Sequence, residues 1–579
     1  MSDMTQREGS FETRTGGALF YRCWIPEQTC GRGVVLLHRG HEHSGRMAEL
    51  VDALELEGVH VFAYDMRGHG RSPGLRGHAN RFQQHVEDLE FFVRMIEQEY
   101  GIVRSDLFVL ANSVSAVTAT TWVHDYAPGI RGMALAAPAF KINLYVPFAT
   151  AGLRVLNRFR RNAFIKSYVK PQLLTHDPEQ VRAYRDDPLI TSQIAVNVLL
   201  GLLDTATRLI ADAGTITTPT LLLSAENDVV VNRKAQQRFF ERLGSQEKRW
   251  VSCPGAYHAV YFEQDRSRAL EETQTFMQAC FNKQQTTHAV TATTATEYER
   301  LCQPARPLAS IGFALQRLAM RGPGRLSRGV RIGLATGFDS GQSLDYVYEN
   351  EARGVGLIGR LIDRGYLNAV GWKGIRTRRE HLRKVLCEAI QEREGELQLI
   401  DLATGCGRYV LETLHAMPQA QVKARLRDWS EANLVAGQQL ADRFGLEDIA
   451  FEKADAFDEN GLRALAGQMD IAVVSGLYEL FPDNEMITAS LRGVAAALKE
   501  DGTLIYTCQP WHPQLEMIAR ILPNREGNPW IMRRRTQAEM DALVRAAGFE
   551  KCDMHIDPDG IFTVSVARRI GRRSQEDAA

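Results

Sequence analysis

A serine, an aspartate and a histidine occur in the N-terminal half of the chain in an order that suits nucleophilic catalysis. Ser113 lies between an apolar, strand-like run and a helical run, with the small residues Ala111 and Ser115 two positions away on either side. Small neighbours allow the sharp strand-to-helix turn that exposes a serine hydroxyl above a sheet. Asp228 and His258 each follow a later predicted strand. The order predicts that a histidine, oriented by an acid, takes the proton of the serine.

The C-terminal half carries a second set of residues, which suits the binding of a nucleotide-containing cofactor. Asp401 ends a predicted strand, and Ala403, Gly405 and Gly407 occupy the turn before the next helix. Small residues let the backbone come close to a ligand, and a helix N-terminus stabilises the polar end of that ligand. Asp428 ends the following strand, where its carboxylate can accept hydrogen bonds from ribose hydroxyls.

A third acid, Asp455, lies in the stretch FEKADAF further along the same half. The loop and the acids near successive strand ends together predict one cofactor site. A dinucleotide such as NAD is the competing interpretation, because a G-x-G loop followed by an acid also suits it. Here an acid precedes the glycines, and the third glycine of the dinucleotide pattern is missing. A fold of this type that holds no cofactor is a further alternative.

Several longer motifs give the N-terminal half a specific resemblance. They are HEHSGR, DMRGHGRSPGLRGH, LLTHDPEQV followed by DDPL, and DVVV followed by YHAVYFE. With these motifs, roughly residues 11–278 resemble the monoacylglycerol lipase and lysophospholipase family of α/β-hydrolases. The resemblance implies that Ser113 is the nucleophile, that His258 is the general base and acid, and that Asp228 orients it. It also implies an oxyanion hole formed by the backbone N–H groups of Gly40 and Val114.

The N-terminal half departs from the family pattern at four positions. The family's G-x-S-x-G turn has Ala111 and Ser115 in place of both glycines, and Arg39 and His41 stand where glycines are usual beside the oxyanion loop. Charge or bulk near the acyl site speaks against a plain fatty-acyl glycerol as substrate. Three possibilities stay open: an ester hydrolase, an acyltransferase, or a domain of weak activity that only binds a ligand.

The C-terminal half, over roughly residues 340–570, resembles class I S-adenosylmethionine-dependent methyltransferases, through the loop that contains ATGCG and the acids after it. The resemblance implies S-adenosyl-L-methionine as the cofactor. It places Asp401, Ala403, Gly405 and Gly407 on the methionine side, Asp428 at the ribose, and Asp455 with Ala456 at the adenine edge. Ala403 stands where a glycine is usual. The methyl acceptor is not predicted, although GLYE (476–479), QPWHP (509–513) and WIMRRR (530–535) are predicted to lie at the rim of a site.

Both sets of residues require parallel α/β sheets, because each follows the carboxyl end of a predicted strand. The strand-like runs are VVLLH (34–38), VHVFAYD (59–65), LFVLAN (107–112), GMALAAP (132–138), TLLLSA (220–225), KRWVSCPG (248–255), LQLIDLA (397–403), VKARLRD (422–428), MDIAVVSG (469–476), TLIYTC (503–508) and IFTVSVAR (561–568). The predicted fold class is therefore α/β, with an α/β-hydrolase fold and its lid followed by a Rossmann-like methyltransferase fold.

The composition shifts along the chain give the predicted domain boundaries. They are an α/β-hydrolase domain over 1–283 with its lid over about 141–210, a Thr/Ala-rich linker over 284–305, basic connector helices over 306–345, and a methyltransferase domain over 346–579. Residues 152–170 and 306–333 each hold six basic residues and no acid among apolar residues. Such segments suit peripheral contact with an anionic membrane, or, alternatively, a solvated lid helix and a connector between domains.

The overall composition of the 579 residues narrows the class of protein. Lys plus Arg number 69 and Asp plus Glu 70, so a partner such as nucleic acid, held by bulk positive charge, is not expected. The nine cysteines are scattered without a CxxC pair, which predicts reduced thiols and no metal site. With a charged N-terminus that has no apolar core, we expect a cytoplasmic protein, with peripheral contact at a membrane as the alternative.

These observations together predict a bifunctional enzyme, a serine ester hydrolase fused to a methyltransferase, acting on lipid-like or other hydrophobic small molecules. The alternatives are a methyltransferase with a hydrolase-fold binding domain and a peripheral membrane scaffold.

Overall fold

The computed structural model describes residues 4–160, 162–283 and 291–571. The chain divides into two compact units, Met1–His288 and Ala289–Ala579. Each unit is built around its own sheet. No helix in the described ranges is both long enough and apolar enough to cross a membrane.

The N-terminal unit contains an eight-stranded sheet and a small two-stranded ribbon. Its strands are β1 (Met4–Glu12), β2 (Ala18–Pro26), β3 (Gly33–Leu37), β4 (His60–Tyr64), β5 (Leu107–Asn112), β6 (Gly132–Ala136), β7 (Phe164–Lys166), β8 (Gln193–Ala195), β9 (Thr220–Ala225) and β10 (Lys248–Cys253). The sheet order is β1-β2-β4-β3-β5-β6-β9-β10, and β7 pairs with β8. From β4 to β10 the strands are parallel, whereas β1 and β2 are antiparallel additions at one edge.

The central strands of this sheet are buried along their whole length. Every residue of β3, β4, β5, β6 and β9 is buried. Continuous apolar runs are typical of parallel strands that are covered by helices on both faces. The helices of the unit are α1 (Ala48–Leu54), α2 (Gln83–Tyr100), α3 (Val114–Tyr126), α4 (Ala149–Phe159), α5 (Pro178–Asp186), α6 (Val196–Asp212), α7 (Arg233–Arg242) and α8 (Ser267–Asn282).

The predicted lid lies between β6 and β9 and contains α4, the β7–β8 ribbon, α5 and α6. The basic segment 152–170 is not one helix: α4 ends at Phe159, and strand β7 follows at Phe164. Helix α6 is the best-buried part of this insertion, and it packs against α3. The lid is therefore anchored at its C-terminal end to the helix that follows the serine turn.

The C-terminal unit contains twelve described helices and a seven-stranded sheet. Its helices are α9 (Thr291–Cys302), α10 (Pro307–Arg321), α11 (Arg328–Thr336), α12 (Gly341–Glu349), α13 (Gly356–Leu367), α14 (Val370–Gln391), α15 (Arg408–His415), α16 (Glu431–Phe444), α17 (Glu459–Arg463), α18 (Asn484–Ala497), α19 (Leu515–Ile521) and α20 (Gln537–Ala546). Its strands are β11 (Leu397–Leu402), β12 (Val422–Asp428), β13 (Ile449–Lys453), β14 (Met469–Val474), β15 (Leu498–Cys508), β16 (Phe549–Ile556) and β17 (Thr563–Arg569).

The strands of this second sheet follow the order β13-β12-β11-β14-β15-β17-β16. Strands β11 to β15 are parallel, and β16 and β17 form an antiparallel edge. The order reverses between β12, β11 and β14, so crevices open at the carboxyl ends of β11 and β14. The prediction of two α/β units is confirmed.

The segment between the two sheets differs from the predicted linker and connector. Residues 284–290 of the predicted linker lie outside the described residues, but Thr291–Cys302 is the helix α9, and Leu301 is fully buried in the C-terminal unit. The predicted connector helices over 306–345 also belong to that unit, because Phe338 enters its apolar core and Met320, Ile332 and Leu344 pack against that core. Low sequence complexity at 284–296 hid the start of α9, since Thr and Ala carry no helical periodicity.

Candidate active sites

The backbone at Ser113 forms a sharp turn between β5 and α3. Ser113 has φ 56° and ψ −112°, a conformation that side chains adopt only under strain. Its N–H donates to the carbonyl of Ala136 over 2.9 Å, and its carbonyl accepts from the N–H of Ala139 over 3.1 Å. Two hydrogen bonds to the neighbouring chain segment therefore hold the serine in this strained conformation.

The usual glycines of this turn are replaced by Ala111 and Ser115, and the structure accommodates both side chains. Ala111 is fully buried in β5, where its methyl group belongs to the core. The Ser115 hydroxyl donates to the carbonyl oxygen of His38, the residue that follows β3. Ser115 thus links α3 to the end of the adjacent strand, a connection that a glycine could not make.

The structure brings Ser113, Asp228 and His258 together. The imidazole Nε2 of His258 lies 2.7 Å from Ser113 Oγ, and its Nδ1 lies 2.8 Å from Asp228 Oδ2. The other carboxylate oxygen of Asp228 accepts from the N–H groups of Val230 and Val231. Burial alone would raise the pKa of Asp228, but His258 and the two backbone donors hold it below its usual value. The arrangement can deprotonate the serine and stabilise the resulting imidazolium.

Gly40 and Val114 lie next to each other beside the serine. Val114 is the first residue of α3, where backbone N–H groups have no acceptor within the helix. A Cβ placed on Gly40 would lie 3.1 Å from Val114 Cγ2, so a larger residue at 40 would crowd the site. Both residues line the same cavity as Ser113 and His258. The two N–H groups are therefore available to an anionic oxygen at the serine.

Arg39 brings to the acyl site a guanidinium that is paired with an acid, although its Nη1 has no hydrogen-bond partner among the described residues. Its guanidinium donates two hydrogen bonds to Glu42, at 3.1 and 2.6 Å, and lies 4.9 Å from the ring centre of Phe262. Glu42 is fully buried, and although burial would raise its pKa, Arg39 and Arg46 hold the pKa below its ordinary value. Within this buried pair, the negative charge of Glu42 balances the positive charge of Arg39.

His41 occupies a position where its backbone φ is 74°, in the left-handed region that favours glycine. Its ring lines the cavity beside Ser113, together with His69 and His85. Burial lowers the pKa of His41 to about 4 and that of His85 to about 3, and it lowers the pKa of His69 well below its ordinary value. These three imidazoles are therefore uncharged at neutral pH.

The cavity at the serine has a volume of about 120 Å³. The lid supplies much of its wall, through residues of the β7–β8 ribbon and of α6. Apolar residues of the lid that line it include Leu144, Ile165, Ile194, Val198 and Leu199. The acyl site is thus a small, largely apolar chamber beneath the lid.

The predicted cofactor loop of the C-terminal unit follows β11 and turns into α15. Ala403, Gly405 and Gly407 all have positive φ, at 57°, 60° and 66°. Nothing lies within 4 Å of the position of a Cβ on Gly405, so open space faces the loop there. Ala403 takes a conformation that a glycine would adopt at lower cost. The loop exposes backbone atoms toward a crevice at the carboxyl end of the sheet.

Asp401 lies beneath this loop and is fully buried. One carboxylate oxygen accepts hydrogen bonds from the hydroxyls of Thr404 and Tyr409, both over 2.6 Å. The other oxygen, Oδ1, is buried without a protein partner among the described residues. Burial raises the pKa of Asp401 to about 7. A buried acid with one oxygen unpartnered is a common mark of a ligand site.

Asp428 ends β12 beside the same loop. Its Oδ2 accepts from the Gly405 N–H over 2.9 Å, and its Oδ1 accepts from Ser430 N–H and Asn433 Nδ2. The acid therefore fixes the position of the loop. The next residue, Trp429, is 69% exposed. An exposed indole at the end of a strand is a candidate for stacking on a base, and its role could not be predicted from the sequence because one tryptophan carries no periodic signal.

Asp455 and Ala456 follow β13, the next strand in the sheet. Asp455 is exposed, and its Oδ1 accepts from the Phe457 N–H over 2.9 Å. Ala456 is half-buried, and Phe457 contacts the ring of Phe481. The two predicted residues thus follow the strand next to the one that ends in Asp428, as parallel strands require.

A second, larger cavity of about 290 Å³ lies in the C-terminal unit, near the carboxyl ends of β14 and β15. Polar residues line it at those strand ends, namely Gly476, Glu479, Gln509, His512 and, from α14, Arg378. The remaining lining is mostly apolar, including Met320, Phe338, Trp372, Trp530, Met532 and Phe562. The QPWHP segment therefore contributes to a cavity, through Gln509 and His512.

The arginines at 533–535 are not a solvated rim. All three are buried, at 2–4% exposure. Arg533 pairs with Glu539, Arg534 pairs with Glu297 of α9, and Arg535 donates to the carbonyls of Tyr478 and Phe481. The prediction of a rim is wrong for these residues: a run of arginines can be buried where acids and carbonyl groups surround it. Within the described ranges, no cluster of three or more metal-ligating side chains was found.

The chain matches two family models. The model described as "Putative methyltransferase" matches residues 272–569, just over half of the chain, and the model described as "Serine aminopeptidase, S33" matches residues 31–265.

Three curated relatives extend this comparison. "Uncharacterized protein YnbC" of Escherichia coli (strain K12) is 45% identical over 97% of this chain and 98% of its own length. The monoacylglycerol lipase of Mycolicibacterium smegmatis is 26% identical over 47% of this chain and 97% of its own length. The monoglyceride lipase of Rattus norvegicus is 30% identical over 43% of this chain and 82% of its own length. The similarity to lipases is thus confined to somewhat less than half of the chain.

Proposed function

We propose that this chain, which belongs to the methyltransferase family and whose N-terminal unit belongs to the monoglyceride lipase family, joins a serine ester hydrolase to an S-adenosylmethionine-dependent methyltransferase. Both units act on lipid-like or otherwise hydrophobic small molecules. The observation that carries the proposal is the hydrogen-bonded series Ser113, His258 and Asp228, with distances of 2.7 and 2.8 Å.

In the hydrolase reaction, Ser113 Oγ attacks the ester carbonyl while His258 Nε2 takes its proton. The N–H groups of Gly40 and Val114 stabilise the oxygen that becomes negative. His258 then gives the proton to the departing alcohol, which leaves an acyl group on Ser113. A water molecule, deprotonated by His258, releases the acid and restores the serine. Asp228 keeps Nδ1 protonated and stabilises the imidazolium throughout.

The lining of the acyl site supports an uncharged, hydrophobic ester as substrate. The charge of Arg39 is balanced by Glu42 inside the protein, and the nearby imidazole of His41 is neutral. A substrate with its own net charge would lose hydration on entry into this largely apolar chamber. The lid residues that close the chamber are mainly apolar, which suits an acyl chain.

The residues of the C-terminal loop fit S-adenosylmethionine. Within the part of the chain that the structure describes, Asp401 retains an unpartnered carboxylate oxygen, Gly405 faces open space, and Trp429 presents an exposed ring beside Asp428. We infer that Ala403, Gly405 and Gly407 hold the methionine part, that Asp428 holds the ribose, and that Asp455 and Ala456 meet the adenine. When bound, this cofactor supplies an electrophilic methyl group. The protein's part is to orient an acceptor and exclude water.

The hydrolase half is tested by ester hydrolysis with short-chain and long-chain substrates. We expect Ser113→Ala to lower kcat/KM by at least about 10³-fold. Ser10→Ala, which changes an exposed serine on β1, is the matched control and should retain full activity. Equal rates in wild type and Ser113→Ala would refute the hydrolase and favour a domain that only binds a ligand.

The methyltransferase half is tested by calorimetric titration of the full chain with S-adenosylhomocysteine, the product form of the cofactor. Binding that weakens at least about tenfold in Asp428→Ala supports the proposal. NAD serves as the comparison ligand. Binding of NAD but not of S-adenosylhomocysteine would contradict the proposal.

A further inference from the structure

The cavity of about 290 Å³ in the C-terminal unit combines a large apolar wall with a small polar end. Trp372 and Trp530 lie in its wall with ring centres 6.3 Å apart and planes at 24°. Phe338 and Phe562 add two more aromatic rings. Flat apolar surfaces of this kind favour a ligand with an aromatic or otherwise planar hydrophobic body.

The polar end of this cavity holds several atoms that have no hydrogen-bond partner in the described residues. They are Arg378 Nε, Glu479 Oε2 and Gln509 Nε2. Arg378 and Glu479 are 3% and 7% exposed, and they meet through one contact, Arg378 Nη1 to Glu479 Oε1 at 3.3 Å. A buried pair satisfied on one side only is costly, so its remaining atoms favour a ligand that completes it.

The chemistry of these atoms selects the polar group of the ligand. Glu479 Oε2 accepts a hydrogen bond, whereas Arg378 Nε and Gln509 Nε2 donate. A hydroxyl group can donate to the carboxylate and accept from one of the nitrogens. A carboxylate could only accept, and its negative charge would lie beside Glu479. The donor–acceptor pattern therefore favours a neutral hydroxyl.

We propose that this cavity binds the methyl acceptor, that the acceptor is a hydroxylated aromatic or similarly planar hydrophobic molecule, and that Glu479 takes its proton. This inference rests on the proposed methyltransferase function. The hydroxyl gives its proton to Glu479, and its oxygen forms a bond to the methyl carbon. The carbon–sulfur bond breaks with its electrons staying on sulfur, so a methyl ether and S-adenosylhomocysteine result. Glu479 later releases the proton to solvent.

Calorimetric titration of the full chain with 2-naphthol, naphthalene and 2-naphthoate tests the proposal without any turnover. We expect 2-naphthol to bind at least about tenfold more tightly than either of the others. Glu479→Gln should abolish the preference for 2-naphthol over naphthalene. Glu485→Gln, which changes an exposed acid in the first turn of α18, should leave the preference unchanged.

Two results would overturn this inference: tighter binding of 2-naphthoate than of 2-naphthol, or a preference for 2-naphthol that survives in Glu479→Gln. The outcome is separable from that of the proposed function. If S-adenosylhomocysteine fails to bind, the methyltransferase proposal fails whatever the naphthalene series shows. If S-adenosylhomocysteine binds but the series shows no hydroxyl preference, only the acceptor inference fails.

A separate observation concerns an apolar surface formed by α10, the 3₁₀ turn Pro323–Leu326, and α13, which we call the α10–α13 surface. On α10, Leu308, Ile311, Leu315 and Leu318 are 61–86% exposed and share one helix face through their spacing of three and four residues. On α13, Leu357, Ile358 and Leu361 are 68–80% exposed. Several large apolar side chains exposed to solvent on neighbouring elements indicate a binding surface.

The turn Pro323–Leu326 contacts both α10 and α13. The carbonyl of Leu326 accepts from the Val355 N–H over 2.8 Å. Gly359 allows this approach, because a Cβ there would lie 2.6 Å from the same carbonyl oxygen. The exposed apolar residues of both helices therefore lie on elements that contact the same turn.

The charges around the α10–α13 surface are positive. Exposed arginines flank it at 306, 321, 325, 328, 360 and 364. Residues 306–333 contain no acid, Asp363 is buried, and the exposed Glu351 pairs with Arg353. An apolar face rimmed by arginines matches an anionic bilayer, where leucines enter the acyl boundary and cations meet the headgroups.

We propose that the α10–α13 surface docks on anionic lipid membranes. Inner residues of α10, Gln316 and Met320, line the cavity of about 290 Å³, so docking brings the bilayer next to the wall of that cavity. A hydrophobic acceptor could then pass between bilayer and protein with little exposure to water. The surface binds lipid whether or not the acceptor inference holds.

Flotation of the full chain with vesicles of phosphatidylcholine alone, or mixed with phosphatidylglycerol, tests this surface. We expect binding to the mixed vesicles that weakens with added salt. Leu308→Ser/Leu315→Ser should lower the partition coefficient at least about tenfold. Leu75→Ser, at an exposed apolar residue outside both basic segments, is the control and should retain full binding.

Equal flotation of wild type and Leu308→Ser/Leu315→Ser would overturn the docking surface, as would equal binding to neutral and anionic vesicles. Sedimentation analysis of the same proteins without lipid tests the other partner that could cover the surface, which is a second copy of the chain. A dimer in wild type that becomes a monomer in the double variant, together with no flotation, would assign the surface to a second copy of the chain and contradict membrane docking.

Discussion

The imidazole of His258 lies 2.7 Å from the hydroxyl of Ser113, although 145 positions separate the two residues along the chain. Ser113 is set by a strained turn after β5, and His258 is set by the loop after β10. Their meeting depends on the parallel order of β5, β6, β9 and β10 in one sheet, because parallel strands bring their following loops to the same edge.

Replacement of the orienting acid should separate chemistry from binding. We expect Asp228→Asn to lower kcat for ester hydrolysis by at least about 10³-fold while KM changes little, because the amide favours the wrong tautomer of His258. Asp204→Asn alters an exposed acid that pairs with Arg154 on the surface, and it should leave kcat unchanged. A higher KM with an unchanged kcat would argue against the role assigned to Asp228.

The buried pair Arg39 and Glu42 should be structural. We expect Arg39→Met to lower the free energy of unfolding by about 3 kcal/mol at neutral pH, because it leaves a buried carboxylate without its main partner. The folded pKa of Glu42 is depressed, so the stability it contributes is lost as pH falls through that pKa, and the difference between variant and wild type should shrink in acid. Arg249→Met, at an exposed ion pair, should cost less than about 1 kcal/mol.

Denaturant unfolding at several pH values measures this difference. Equal stabilities of wild type and Arg39→Met at neutral pH would contradict the role assigned to the pair. A large change of substrate preference with no loss of stability would instead give Arg39 a direct role in binding substrate.

Asp401 should make the stability of the C-terminal unit depend on pH. Burial raises its pKa to about 7, so between about pH 4 and pH 7 the folded state binds more protons than the unfolded state. The free energy of unfolding of wild type, relative to Asp401→Asn, should therefore fall as pH rises through this window and level off above it. The slope cannot exceed about 1.4 kcal/mol per pH unit.

Hydrogen exchange of the amides in β11 and β12 reports this stability in the full chain. Asp442→Asn, at an exposed acid on α16, should give a difference from wild type that does not vary with pH. If the difference in free energy of unfolding between wild type and Asp401→Asn also did not vary with pH, the carboxylate would be ionised over the whole range, which would contradict the prediction.

Trp429 should contribute to cofactor binding by stacking. We expect Trp429→Ala to weaken S-adenosylhomocysteine binding about tenfold, since stacking of a base on an aromatic ring contributes about 1–3 kcal/mol. Trp429→Phe keeps an aromatic face and should lose much less. Calorimetry distinguishes the two, and equal affinities in Trp429→Ala and wild type would remove this residue from the site.

Much of the architecture could be predicted from the chain, because buried parallel strands are continuous apolar runs. The runs at 107–112, 220–225 and 422–428 coincide with β5, β9 and β12 to the residue. The edge strands β1, β13 and β16 were not predicted, since half-exposed strands mix charged and apolar residues as loops do. Helix α9 lies within the predicted linker, because its Thr/Ala-rich start has no apolar stripe.

The candidate sites could be predicted only where strand ends fix them. Ser113 follows β5 directly, and Asp401 and Asp428 lie at the carboxyl ends of β11 and β12, so their place at the sheet edge follows from the sequence. Trp429 could not be recognised in the same way, because a single exposed tryptophan after a strand carries no periodic signal. Glu479 belongs to a predicted rim segment, but its pairing with Arg378 of α14 could not be predicted, since the two residues lie far apart in the chain. The buried Arg533–Arg535 run shows the converse, since only the fold reveals that Glu539, Glu297 and several carbonyl groups surround these side chains.

The central claim is that Ser113 is a nucleophile activated by His258, and covalent labelling tests it most directly. The full chain is treated with a fluorophosphonate ester, and the intact mass and the modified peptide are measured in wild type, His258→Gln and Ser113→Ala. We predict one adduct on Ser113 in wild type, at least about 10³-fold slower labelling in His258→Gln, and none at this peptide in Ser113→Ala. An unlabelled Ser113 in wild type, or labelling at an equal rate in His258→Gln, would contradict the account.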